Sequence, residues 1–210
     1  MRFPIDKPII YLITKGEATP ANYVEKSRDI IDIIKLAVEE EVSLIQLREK
    51  NLPARLLFEL TNRAVAVTRG SATRVLVNDR ADVASAANAD GVHLAANSLS
   101  ASVVREHFPK DLLIGVSTHT GEEVINASAK GADFVVLGPI YETPSKGQFL
   151  GIAALAQVCK TVRPFPVLAL GGVDGSNISL ILEAGASGFA AIRALNDPDS
   201  LRSICRTLRK

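Results

Sequence analysis

The chain has 210 residues, 47% of them hydrophobic, which is enough for one domain with a sizeable core. Its 24 basic and 23 acidic residues leave a net charge of +1, so no global field draws in nucleic acid or a membrane surface. No apolar stretch approaches the roughly 20 residues of a membrane span, and the opening MRFPIDKPIIYLIT is too interrupted for a signal peptide.

Eight short apolar runs follow one another, and helical patterns separate them. The first strand, Ile9–Thr14, turns at residues 15–21 into a helix near residues 22–41, whose Val24, Ile30, Ile31, Ile34, Leu36 and Val38 lie mainly on one stripe. The second, Ser43–Arg48, leads to Pro53, which can open a helix running to Gly70. The third, Arg74–Asp79, precedes a short Ala-rich helix over 80–88. The fourth is Gly91–Leu94; Ser100 then caps a helix over 101–107, closed by Pro109. The fifth, Leu112–Ser117, leads to a helix over 121–130. The sixth, Asp133–Gly138, runs into an irregular segment, 141–151, and a helix over 152–162. The seventh, Phe165–Gly171, ends in a glycine pair before a helix over 176–184. The eighth, Gly188–Ile192, leads through Asn196–Pro198 to a last helix.

Near-continuous apolar strands suit a parallel sheet covered on both faces. Eight strand–helix units favour a single-domain (β/α)8 TIM barrel over 1–210, rather than an open doubly wound sheet. Aromatics are 5% and Trp is absent, so branched aliphatics fill the interior. Cys159 and Cys205 have no metal-type spacing and read as free thiols of a reducing cytosol, hence a cytoplasmic protein.

Polar residues gather at the C-terminal ends of the strands, the catalytic face of such a barrel. Alternation sends Gln46 and Arg48 to one side, toward the interior near its mouth. Arg48 and Lys50 suit a phosphate, or a buried ion pair with a neighbouring acid. Asp79, after Asn78, suits Mg2+, or caps the helix beginning at Arg80. His93 reads as a satisfied core residue. His119, two residues past Ser117, can move protons near neutral pH, or cap the helix near Gly121. Thr143, Ser145 and Lys146, hydroxyls and an ammonium on one loop, suit a phosphate-gripping lid. Gly171 and Gly172 offer backbone N–H groups to an anion, or make only a tight turn.

Taken in order, Gln46-Leu47-Arg48-Glu49-Lys50, Asn78-Asp79, Asp90-Gly91-Val92-His93-Leu94, Gly115-Val116-Ser117-Thr118-His119, Gly138-Pro139-Ile140-Tyr141, Thr143-Pro144-Ser145-Lys146 and Gly171-Gly172-Val173 resemble the thiamine-phosphate synthase family, which includes the thiazole tautomerases. The resemblance covers essentially the whole chain. It implies a cytoplasmic transferase that joins a pyrimidine-methyl diphosphate to a thiazole phosphate and releases diphosphate, with Mg2+ as cofactor. It implies that Gln46, Arg48, Lys50 and Asn78 grip the pyrimidine diphosphate, that Asp79 ligates Mg2+, and that Ser117 and Lys146 reach the diphosphate. Thr143, Ser145, Gly171 and Gly172 would hold the thiazole phosphate, with Ile192 and Arg193 completing the site. The expected partners are phosphorylated thiamine precursors, and a homodimer is compatible with them. Three positions depart from the family's pattern. Ser98 stands where a second Mg2+ carboxylate is usual, Arg193 where a serine is usual, and Ser145 where a threonine is usual; the lid before Gly151 also looks short. Two alternatives remain open: a metal-independent thiazole tautomerase using His119 as acid and base, and a catalytically silent precursor-binding paralogue.

Overall fold

The computed structural model describes residues 7–143 and 148–209. Eight parallel strands close in sequence order: β1 (Ile9–Ile13), β2 (Leu44–Leu47), β3 (Arg74–Asn78), β4 (Gly91–Leu94), β5 (Leu113–Thr118), β6 (Phe134–Leu137), β7 (Val167–Ala169) and β8 (Gly188–Ala191). The helices between them are α1 (Tyr23–Glu39), α2 (Ala54–Thr68), α3 (Ala81–Ala86), α4 (Ala101–His107), α5 (Gly121–Ala129), α6 (Gly151–Val162), α7 (Ile178–Glu183) and α8 (Pro198–Leu208). The ring closes where β1 lies beside β8, with Ile9 opposite Gly188 and Leu12 opposite Ala191. The expected (β/α)8 barrel is the observed fold.

Strand alternation divides the apolar side chains into two cores. Ile9, Tyr11, Ile13, Leu44, Leu76, Leu113, Phe134, Val136, Leu168 and Ala190 fill the interior. Their neighbours Ile10, Leu12, Ile45, Val75, Val77, Ile114, Val135 and Phe189 face outward and pack with the helices. The same parity turns Gln46, Asn78, His93 and Ser117 inward, above the aliphatic floor.

Element ends shift for identifiable reasons. β7 is shorter than its apolar run because Gly171 and Gly172 leave the extended region, at φ +94° and +66°. The start of α7 moves to Ile178 because Asp174 organises a turn first, accepting from the Ser176 N–H and hydroxyl at 2.9 and 2.6 Å. Ser100 stands at the N-cap of α4 but makes no side-chain cap bond; its hydroxyl meets that of Ser102. A 3₁₀ turn over Ala194–Asn196, which the sequence pattern did not suggest, follows β8.

Candidate active site

The inward polar residues meet at the C-terminal mouth of the barrel. Arg48 is half-buried just past β2, and Lys50 is exposed at the rim. Neither forms an ion pair among the described residues, so the structural-pair alternative for these two cations falls away there. The acid between them serves the backbone instead. Buried Glu49 accepts from the N–H groups of Gly16 and Ala18 at 3.1 and 2.8 Å and ties down the loop after β1.

Asp79 does not cap α3, whose N-cap position is Arg80. One carboxylate oxygen accepts from the Ala95 N–H at 2.7 Å, and the other accepts from the Asn78 amide at 2.7 Å. Its backbone N–H donates to the His93 carbonyl at 2.9 Å. The residue sits at φ +58°, an uncommon conformation for a side-chain-bearing residue and one that recurs at functional sites. The carboxylate is thus aimed by the ends of two strands. Each oxygen keeps a lone pair beyond its hydrogen bond, so the group can still ligate a cation.

Behind this rim runs a buried polar file. The Gln46 amide nitrogen donates to the Tyr11 hydroxyl at 3.0 Å, and that hydroxyl lies 3.2 Å from His93 Nδ1. His93 Nε2 lies 2.9 Å from the Ser117 hydroxyl. Phe134 stacks edge-on to Tyr11 at 5.6 Å between ring centres and lies 6.1 Å from His93. Burial pushes the His93 imidazole down to about 3; the nearby Asp79 carboxylate opposes that shift, and the Arg48 guanidinium adds to it. Burial also raises Tyr11 far above the ordinary phenol range, against the hydrogen bond from Gln46. Gly115 makes room for the rings: a Cβ there would meet Phe134 at 2.4 Å and His93 Nδ1 at 2.7 Å.

Across the mouth, Gly171 and Gly172 take positive φ, and the loop after β6 lies against them. A Cβ on Gly171 would meet Pro139 at 2.5 Å, and one on Gly172 would meet Tyr141 at 2.6 Å. The Tyr141 N–H donates to the Gly171 carbonyl at 3.0 Å, and Asn177 donates to the Gly172 carbonyl at 2.8 Å. The carbonyls are therefore held back, while the two glycine N–H groups carry no hydrogen bond among the described residues. Such a turn, together with the end of β8, is the usual place for a phosphate in this fold. Thr143 lies one residue beyond Glu142, whose carbonyl would be 3.0 Å from a Cβ on Gly172; the Thr143 hydroxyl is buried with no partner among the described residues. Ile192 is half-buried against the interior core, and exposed Arg193 starts the 3₁₀ turn. Ser145 and Lys146 lie outside the described residues.

His119 is exposed, and its Nδ1–H donates to the Gly138 carbonyl at 2.5 Å. It does not cap α5. Thr120 does that by accepting from the Glu123 N–H at 3.2 Å, while Glu123 accepts from the His119 N–H at 2.5 Å. The hollow of about 90 Å³ between the loop after β1 and α1 lies beside the mouth and not over it. Its wall pairs Lys26 with Glu17 at 3.5 Å and with Asp29 at 3.6 Å, and Lys15 lines it as well.

The structure thus brings Gln46, Arg48, Asn78, Asp79 and Ser117 to one side of the mouth and Thr143, Gly171 and Gly172 to the other. Sequence reasoning missed Tyr11 as part of this machinery and gave His93 no role in it. The available signal was parity: Tyr11 shares the inward face of β1 with Ile9 and Ile13. Its partners come from β2 and β4, and only barrel closure brings them near.

A family profile described as thiamine monophosphate synthase matches residues 10–195. The "Putative thiamine-phosphate synthase" of Geobacter sulfurreducens is 43% identical over 194 residues, covering 90% of this chain and 88% of that protein. The thiamine-phosphate synthase of Roseiflexus castenholzii is 35% identical over 210 residues, covering 97% and 89%. Among solved structures, thiamine phosphate pyrophosphorylase from Pyrococcus furiosus matches with a TM-score of 0.82 at 30% identity, covering 97% of this chain and 95% of that one. With the profile and these relatives spanning nearly the whole barrel, the chain belongs to the thiamine monophosphate synthase family.

Proposed function

We propose that this chain is a thiamine-phosphate synthase: it joins a hydroxymethylpyrimidine diphosphate to a thiazole phosphate and releases diphosphate. The carrying observation is the two-sided mouth. Cations and an aimed carboxylate stand at the ends of β2 and β3, and across the barrel stand glycine N–H groups and a threonine hydroxyl that carry no hydrogen bond among the described residues.

In this reading Arg48 and Lys50 bind the diphosphate oxygens, the guanidinium as a fork and the ammonium as a mobile charge. The C–O bond between the pyrimidine methylene and diphosphate breaks, and its electron pair leaves with the diphosphate. The thiazole nitrogen supplies the pair for the new C–N bond, so no proton has to move. Interactions that strengthen as charge collects on the leaving oxygens accelerate the step. Ser117 adds a hydroxyl donor there, and Lys146 would add a second ammonium. Gly171, Gly172, Thr143 and Ser145 hold the thiazole phosphate, with Arg193 as a further cation, so that the nucleophile is positioned before the bond breaks. Gln46 and Asn78 orient the pyrimidine.

Asp79 would hold Mg2+, which when bound neutralises charge on the diphosphate. The fit is sound: its carboxylate is aimed yet retains lone pairs for a cation. One carboxylate plus waters and phosphate oxygens is a common Mg2+ arrangement. We assign the protein to the cytoplasm on its two free cysteines and on charged substrates that do not cross membranes unaided. Among the described residues no helix is long and apolar enough to span a membrane.

A second reading, the metal-independent thiazole tautomerase, is favoured by one observation. The Nδ1–H bond to Gly138 fixes the His119 tautomer and leaves Nε2 as a base. The two separate in one assay. Mg2+-dependent diphosphate release from the two phosphorylated substrates, lost in Asp79→Ala, supports the synthase. Metal-free ring aromatisation, lost in His119→Ala, replaces it with the tautomerase. Precursor binding with neither activity leaves the silent paralogue.

A further inference from the structure

The file Gln46–Tyr11–His93–Ser117 draws on four strands, and the orientation of the Gln46 amide sets its direction. Tyr11 and His93 are 0% and 2% exposed, so bulk water supplies neither with a partner. An amide nitrogen only donates, so the Tyr11 oxygen accepts at that end. The hydroxyl proton of Tyr11 then needs an acceptor, and His93 Nδ1 at 3.2 Å provides it. A neutral imidazole accepting at Nδ1 carries its proton on Nε2 and donates 2.9 Å to the Ser117 oxygen. Ser117 therefore accepts from inside the barrel, and its own proton is free to turn toward the mouth.

We propose that Tyr11 and His93 are positioning residues that set Ser117 as an obligatory hydrogen-bond donor to the leaving diphosphate. The inference rests on the functional reading above in placing diphosphate at Ser117. Were the Gln46 amide reversed, every bond in the file would reverse. Ser117 would then donate inward to His93 and present lone pairs to an anion. The side-chain orientation at the end of β2 thus decides the hydroxyl direction at the end of β5, across the barrel.

The test uses the full chain. Long-range 1H–15N NMR on 15N-histidine-labelled protein, with His93 assigned from its loss in His93→Gln, should give the Nε2–H tautomer at neutral pH. Binding of inorganic diphosphate with Mg2+, followed by calorimetry, should weaken about tenfold in Tyr11→Phe and in Ser117→Ala, the size of one charge-assisted hydrogen bond. The double variant should lose no more than Ser117→Ala alone, because both remove the same donor. His93→Gln, whose amide can still donate to Ser117, should keep more affinity than His93→Leu. An Nδ1–H tautomer, additive losses, or equal losses in His93→Gln and His93→Leu would overturn the proposal. A chain that turns over but shows additive losses keeps the functional reading and loses this role. A chain that never turns over but binds diphosphate with coupled losses keeps the role and loses the reading.

Discussion

At the scale of single residues, small side chains decide the site. Gly115 is the clearest case, since Phe134 and His93 occupy the space its Cβ would take. Gly115→Ala should cost roughly 1–3 kcal/mol of stability through overpacking, read from urea denaturation. It should also disturb diphosphate binding, because the displaced rings carry the buried file. Ser98 is the opposite case, a small residue where more charge would help. It closes a turn by donating its N–H to the Ala95 carbonyl at 2.9 Å, and Ala95 in turn donates to Asp79. That turn ties position 98 through Ala95 to Asp79, the carboxylate proposed to hold Mg2+. Ser98→Asp should lower the Mg2+ concentration needed for half-maximal rate and raise turnover by about tenfold, or ~1.4 kcal/mol. Unchanged metal demand in a titration would remove Ser98 from the metal site.

At the scale of elements, the two faces of the barrel divide the work. Arg105, near the end of α4, reaches away from the mouth. Its guanidinium donates to the Gly131 carbonyl at 2.9 Å, to the Leu112 carbonyl at 2.5 Å and to the Asp133 carboxylate. Asp133 also accepts from the Ile114 N–H at 2.8 Å, so one cluster joins α4 to the starts of β5 and β6. Arg105→Ala strips three acceptors of a donor at once and should cost about 3 kcal/mol. Turnover per folded molecule should stay near wild type, because the N-terminal face of such a barrel serves stability and not chemistry. Measured melting curves and kcat together decide it; a large fall in kcat without a fall in stability would contradict this division.

At the scale of the whole molecule, closure is the organising event. β1 pairs with β8, and Asn196 donates from the far end of the chain to the Ile13 carbonyl at 2.8 Å. We expect the chain to unfold as one unit over 1–210. Cys159 on α6 and Cys205 on α8 report on this, both buried and both pushed up to about 11 by desolvation. A raised thiol pKa means less thiolate at pH 8, so both should resist a thiol reagent in the native state. Across a urea series both should become reactive together, at the midpoint seen by circular dichroism. Separate midpoints would show that the barrel opens in parts.

The eightfold strand–helix alternation, the barrel and the polar strand ends are all legible along the chain. Those features are written in local periodicity: eight apolar runs, a two-residue parity that turns Gln46 inward, and glycines where helices or strands stop. The chain also carries the motifs from Gln46 to Gly172 in an order specific enough to name a family. Which polar groups face each other emerges only once the barrel closes. Asp79 as a helix cap or as an acceptor held by Asn78 and Ala95, and His93 as a filler or a link between Tyr11 and Ser117, look the same along the chain. Their partners come from other strands, 16 residues away for Ala95 and 82 for Tyr11. Hydrogen bonding across a closed barrel depends on which strands closure brings together, and no local pattern encodes that distance.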